Sequence, residues 1–107
     1  MQNGSNREVA LESIAFVLKR NPNVGFGDVR IMMKLVSKIA NGFPANYERL
    51  NDLFLPQLEG ILKMWILSDN MDDVSSFLQD LIADPSLVKM GKALNHEMIK
   101  VKTHIYY

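Results

Sequence analysis

Apolar residues return every three or four positions along most of the chain. Nowhere do apolar and polar residues alternate long enough to make a strand, so the pattern predicts an all-α protein. In the first segment Ala10, Leu11, Ile14, Val17 and Leu18 form one helical stripe. Ahead of it, Ser5-Asn6-Arg7-Glu8 has the form of a capping box, in which the Ser hydroxyl accepts an early backbone N–H and the Glu reaches back. A helix is therefore expected from Ser5, with residues 1–5 disordered. Asn21-Pro22 closes it, because a residue before proline is pushed out of the α region. After the glycine-containing loop 21–27, Asp28 is the expected cap of a second helix. That helix carries Val29, Met32, Val36, Ile39 and Ala40 on one face, with Ile31 and Leu35 beside it, and Asn41-Gly42 supplies a left-handed closing residue.

Pro44 can open a third helix through Tyr47, Leu50 and Leu53. Pro56 inside a helix would cost about 3 kcal/mol through a lost hydrogen bond and a clash, so the pattern predicts a break there and a new helix from Gln57. The segment 57–67 is apolar almost all round, which calls for burial in the core or under a partner. Ser68-Asp69-Asn70 is the expected cap of the next helix, whose stripe is Val74, Phe77, Leu78, Leu81 and Ile82; Asp72 and Asp73 sit in its first turn, where the helix dipole favours anions. Asp84-Pro85 ends that helix and opens the last one. There Leu87, Gly91, Leu94, Met98, Val101 and Ile105 make a heptad-like seam too short for a coiled coil, and the last few residues fray. The expectation is one domain, residues 1–107, folded as a bundle of five or six antiparallel-leaning helices.

Composition fits this. At 107 residues and 48% hydrophobic, the chain can bury a core without disulfide or metal support. It has no cysteine, which excludes disulfides, thiolate zinc sites and a cysteine nucleophile and is compatible with a reducing, intracellular setting. The N-terminus lacks the basic and apolar regions of a signal peptide, and no stretch approaches the roughly 18 apolar residues of a membrane span. Net charge is zero but unevenly laid out. Residues 1–49 hold seven basic and four acidic residues (+3), residues 50–84 one and seven (−6), and residues 85–107 four and one (+3).

No catalytic or cofactor chemistry is legible. His96-Glu97-Met98-Ile99-Lys100 has Lys where a zincin helix needs its second His, and His96 and His104 stand about two turns apart, too far for one metal ion. Gly25-Phe26-Gly27 lacks the pattern and the Lys-Ser/Thr of a phosphate loop. Asp72 and Asp73 diverge by about 100° on a helix, which suits capping better than acid–base work. The chain is therefore expected to be a non-enzyme without metal or cofactor.

Two surface signals point to binding. Arg30, Lys34 and Lys38 recur at helical spacing, and Lys89, Lys92, His96 and Lys100 line the last helix away from its seam. Such ridges suit an acidic polymer, although each alone also matches an ordinary solvated face, and the pI of 6.7 argues against nucleic acid. The second signal is an apolar surplus. Met32, Met33, Met64, Trp65 and Leu67 are candidates for an interface with another helical chain, since methionine adapts to irregular surfaces; packing within the core is the competing explanation.

One family resemblance gathers these signals. Asp28-Val29 ahead of Ile31-Met32-Met33-Lys34-Leu35-Val36, then Leu55-Pro56-Gln57-Leu58-Glu59-Gly60-Ile61-Leu62, then Phe77-Leu78-Gln79-Asp80-Leu81-Ile82 resembles the helical C-terminal domain of the non-catalytic subunit of katanin, the microtubule-severing ATPase. The likeness covers residues 28–82, about half the chain, and rests on hydrophobic pattern plus one Leu-Pro-Gln. It implies a domain that pairs with the N-terminal helical domain of the ATPase subunit and aids microtubule and spindle binding in the cytoplasm. The alternative is a generic helical adaptor without a cytoskeletal role, and behind it a nucleic-acid-binding helical domain.

Overall fold

Five helices account for nearly all of the computed structural model, which describes residues 3–41 and 48–106, with side chains for 6–41 and 48–101. They are α1 (Asn3–Arg20), α2 (Phe26–Ala40), α3 (Glu48–Leu67), α4 (Met71–Ala83) and α5 (Val88–Tyr106), and no strand occurs among the described residues. α3 packs on α1, α4 and α5, while α2 packs on α1 and α4. The helices alternate in direction, with α1, α3 and α5 side by side in one layer and α2 and α4 in a second. The extents of 52 × 25 × 19 Å suit two helix layers, since packed helices lie about 8–10 Å apart.

The stripes predicted from spacing supply most of the core, but Val17 and Ile82 are exposed, Met32 is only half-buried, and Met33 and Phe54 are buried outside the predicted stripes. Leu11 and Leu18 of α1, Val29, Met33 and Val36 of α2, Phe54, Leu58 and Leu62 of α3, Phe77 and Leu81 of α4, and Leu94 and Met98 of α5 join one buried cluster. No polar or charged side chain is buried among the described residues.

Several boundaries differ from expectation for local reasons. α1 starts at Asn3, ahead of the expected Ser5 cap; the Ser5 side chain lies outside the described residues. Asp28 is not a cap. Gly25 holds that position in extended backbone, the Val29 N–H donates to the Gly25 carbonyl at 3.1 Å, and Asp28 falls in the first turn, where its charge faces the helix dipole. Asn41 remains right-handed, and Gly42, Pro44 and Tyr47 lie outside the described residues.

Pro56 does not break the third helix: α3 runs through it. The ring lies on the exposed side, opposite the stripe Phe54–Leu58–Ile61–Leu62–Trp65, so the bend a proline induces is turned toward solvent. The carbonyl left without a donor belongs to exposed Asp52, within reach of water, and the Gln57 side-chain amide donates to the Leu53 carbonyl at 3.3 Å. Burial of apolar residues on both sides of Pro56 outweighs a penalty of about 3 kcal/mol.

α3 ends in a Schellman turn. Asp69 takes a left-handed φ of 64°, its N–H donates to the Ile66 carbonyl, and the Asn70 N–H donates to the Trp65 carbonyl at 2.8 Å. Asn70 then holds the N-cap position of α4, without a side-chain cap bond. Asp84 uses its carboxylate in a turn: Oδ1 accepts the Ser86 N–H at 2.9 Å, and α5 begins only at Val88. Pro85 lies within that turn rather than at the first helical position.

The α5 seam is packed, and Gly91 is its tightest point. A Cβ added there would meet Leu81 Cβ, Ile82 Cγ1 and the Ile82 backbone nitrogen, each at 2.9 Å, so α4 and α5 touch backbone to backbone. Gly91→Ala is expected to lower stability by about 1–3 kcal/mol from overpacking, although helix propensity alone favours Ala by about 1 kcal/mol. Leu94→Ala should cost about 2–5 kcal/mol, and exposed Lys92→Ala under about 0.5 kcal/mol. Thermal and urea unfolding of the three variants checks this; equal melting would show a seam that is not packed.

Candidate protein-interaction surface

The core stripes leave a second set of apolar residues facing out. Ile31 and Leu35 sit about 200° and 240° around α2 from buried Val29, and they are 68% and 49% exposed. Across the α1–α2 hairpin stands half-exposed Val17. Between the two helices runs an open groove of about 380 Å³, lined by Val17, Leu18, Val24, Asp28, Ile31 and Met32 among others. Of these, Val17, Asp28 and Ile31 are exposed, while Leu18 closes the floor as part of the core. Phe16 and Val9 extend the apolar surface along α1, with the Arg20 guanidinium 5.4 Å from the Phe16 ring centre.

The basic residues of α2 divide. Arg30 turns toward α4, where its Nε lies 3.1 Å from Asp80 Oδ2, and its guanidinium is 5.9 Å from the Phe26 ring centre. This pair stands over a cleft of about 150 Å³ between α2 and α4 that includes Met33, Phe77, Leu81 and Leu87. Lys34 and Lys38 continue past it toward the α4–α5 turn and have no carboxylate within 4 Å among the described residues. They flank Ile31 and Leu35, so the apolar ridge of α2 has a cationic border.

The other end of the molecule is different. Lys89, Lys92, His96 and Lys100 are all exposed on α5, with Lys100 3.5 Å from Glu97. Ile99 is the exposed apolar residue among them. His104 lies outside the described side chains.

Of the five apolar candidates, the structure separates core from surface. Met33 is buried, facing the α2–α4 cleft. Trp65 is also buried, its Nε1–H donating to the Val24 carbonyl at 3.3 Å and its ring edge-on to Phe26 and Phe77. The α2 stripe and the α3 stripe claim these two, which withdraws them from a free surface. Met32 is half-buried in the groove wall, while Met64 is exposed and Leu67, at the end of α3, is 73% exposed. Spacing missed the role of Ile31, Leu35 and Val17, which read as flank or continuation of the core stripe. Their angular distance from Val29 and Leu11 was the available signal: two apolar ridges on one amphipathic helix cannot both face one core.

No helix among the described residues is long and apolar enough to cross a membrane. No protein-family model, curated protein or solved structure matches the chain.

The division between Met33 and Ile31 has a direct stability test. Met33→Ala should cost about 2–5 kcal/mol, because it empties a buried site. Ile31→Ser should change stability by no more than about 0.5 kcal/mol, because its side chain already meets water. Denaturant midpoints of the two variants check this, and a large loss for Ile31→Ser would place that residue in the core.

Proposed function

We propose that this chain is a non-catalytic helical module that binds a second helical chain through the outward face of its α1–α2 hairpin. The observation that carries this is the groove lined by exposed Val17 and Ile31, continued along α2 by exposed Leu35, with exposed Lys34 and Lys38 each three residues on from Ile31 and Leu35 on the same helix. An apolar stripe with a cationic edge fits an amphipathic helix with an acidic flank, which would lie along the groove and bury its own apolar side. The resemblance of residues 28–82 to the katanin regulatory subunit supports the same reading and names a partner, the N-terminal helical domain of the ATPase subunit. A cytoplasmic, cytoskeletal place follows from that resemblance alone.

Titration of that ATPase domain against the chain, followed by calorimetry, tests the reading. Changing Ile31 and Leu35 together to Ser should weaken binding by about 100-fold, as expected for two anchors worth over 1 kcal/mol each. Binding that ignores both changes would remove this face from the interface.

The basic ridges support a second contact, with the acidic surface of microtubules. Since Arg30 is already paired with Asp80 and Lys100 with Glu97, the cations available to a polymer are Lys34 and Lys38 on α2, joined on α5 by Lys89 and Lys92. Lys34→Ala with Lys38→Ala should reduce microtubule co-sedimentation and flatten its salt dependence, while Arg30→Ala should reduce it less. Co-sedimentation that is equal in all variants at low salt would make the ridge a plain solvated face.

A further inference from the structure

The exposed side of α2 carries a pattern that fits itself. Asp28, Ile31, Leu35 and Lys38 follow one another at spacings of three, four and three, which puts them on one stripe of the helix. Turned end for end about residue 33, the stripe reads as its own complement: Asp28 falls opposite Lys38, and Ile31 opposite Leu35. Antiparallel helix pairs are layered in this way, and a two-fold interface requires that kind of self-complementarity. The two charged ends are about 15 Å apart, ten residues at 1.5 Å each. Both are exposed, and neither has an ion-pair partner among the described residues.

The charge of the whole molecule runs the same way. Phe26, at the start of α2, meets Trp65 near the end of α3, so Asp28 lies at the end of the bundle that also holds Asp69, Asp72 and Asp73 at the α3–α4 turn. Lys34 and Lys38 lie at the other end, beside the α4–α5 turn from which Lys89 and Lys92 continue. Two copies aligned antiparallel bring the acidic end of each beside the basic end of the other.

We propose that, when no other partner covers it, the α1–α2 face closes on a second copy of this chain, with α2 paired antiparallel to α2 of the other copy about a two-fold axis near residue 33. The proposal rests on the reading of that face as a protein-binding surface. It adds that self-pairing and partner binding exclude each other. The exposed apolar area is small, so the pairing is weak, with a dissociation constant on the order of 10–100 μM.

Sedimentation equilibrium of the full chain tests this. The wild-type mass should climb from monomer toward dimer between about 10 μM and 1 mM. Asp28→Lys alone and Lys38→Asp alone should each weaken association about tenfold or more, because both two-fold-related attractions become repulsions. An equimolar mixture of the two single variants should recover the wild-type mass, since every 28–38 contact in the mixed pair sets Lys against Asp. The double variant should recover it as well, and circular dichroism of each variant reports folding separately. A wild type that stays monomeric at about 1 mM, or single variants that associate like the wild type, would overturn the self-pairing. If Ile31→Asp still abolishes binding of the ATPase domain in that case, only the second copy is the wrong occupant. If Ile31→Asp leaves both association and partner binding unchanged, the face itself is misassigned.

Discussion

Trp65 holds the two layers of this bundle together. Its ring meets Phe26 edge-on at 5.9 Å and Phe77 edge-on at 5.8 Å, so one side chain of α3 touches the start of α2 and the middle of α4. Its indole N–H reaches the Val24 carbonyl in the α1–α2 loop, the partner a buried tryptophan needs for its polar atom. The consequences run outward from this point. Phe26 joins α2 because its ring packs here, which moves the helix start ahead of Asp28. With the start of α2 pinned, Arg30 lies beside Asp80, Met33 enters the cleft, and Ile31 and Leu35 have only the outside left to face.

The two ends of the molecule are finished differently. α5 closes one side with exposed Lys89, Lys92, His96 and Lys100, among which Ile99 is the exposed apolar residue. The α1–α2 hairpin closes the other side with Val17, Ile31 and Leu35. Scattered exposed apolar residues are ordinary, but Val17 and Ile31 line one groove, and exposed Leu35 continues it one turn along α2. The proposed binding face rests on that asymmetry more than on the number of methionines.

The fold was legible because its helices obey period and punctuation together. Asn21-Pro22 and most of the buried positions of α4 and α5 stand where spacing puts them, whereas on α2 the buried methionine is Met33 and not Met32. Pro56 misled because the local penalty is fixed, whereas the burial that outweighs it comes from α1, α4 and α5, which a reading of neighbouring residues does not contain. The turn after α3 was half hidden for a similar reason: its left-handed position is occupied by Asp69 rather than by glycine. The interface candidates fared least evenly. Met33 and Trp65 could be sorted only by knowing which face of α2 and α3 meets which neighbour.

Charge layout shows how tertiary structure re-sorts what the sequence orders. A basic, an acidic and a basic segment suggest internal neutralisation, yet only the Arg30–Asp80 pair joins a basic segment to the acidic one among the described ion pairs. Arg49–Glu12 and Lys100–Glu97 are each formed within one segment. All three pairs are solvent-exposed, a setting in which such contacts contribute about 0–1 kcal/mol. The bundle therefore does not depend on them, and its charges remain available to anything that approaches. What the fold does with them is to sort them along its length, because α2 and α4 run side by side in the same direction. Asp28, Asp72 and Asp73 collect at one end, and Lys34, Lys38 and Lys89 at the other. For the helix proposed to dock on the apolar ridge, a surface with that polarity would favour one orientation over the other.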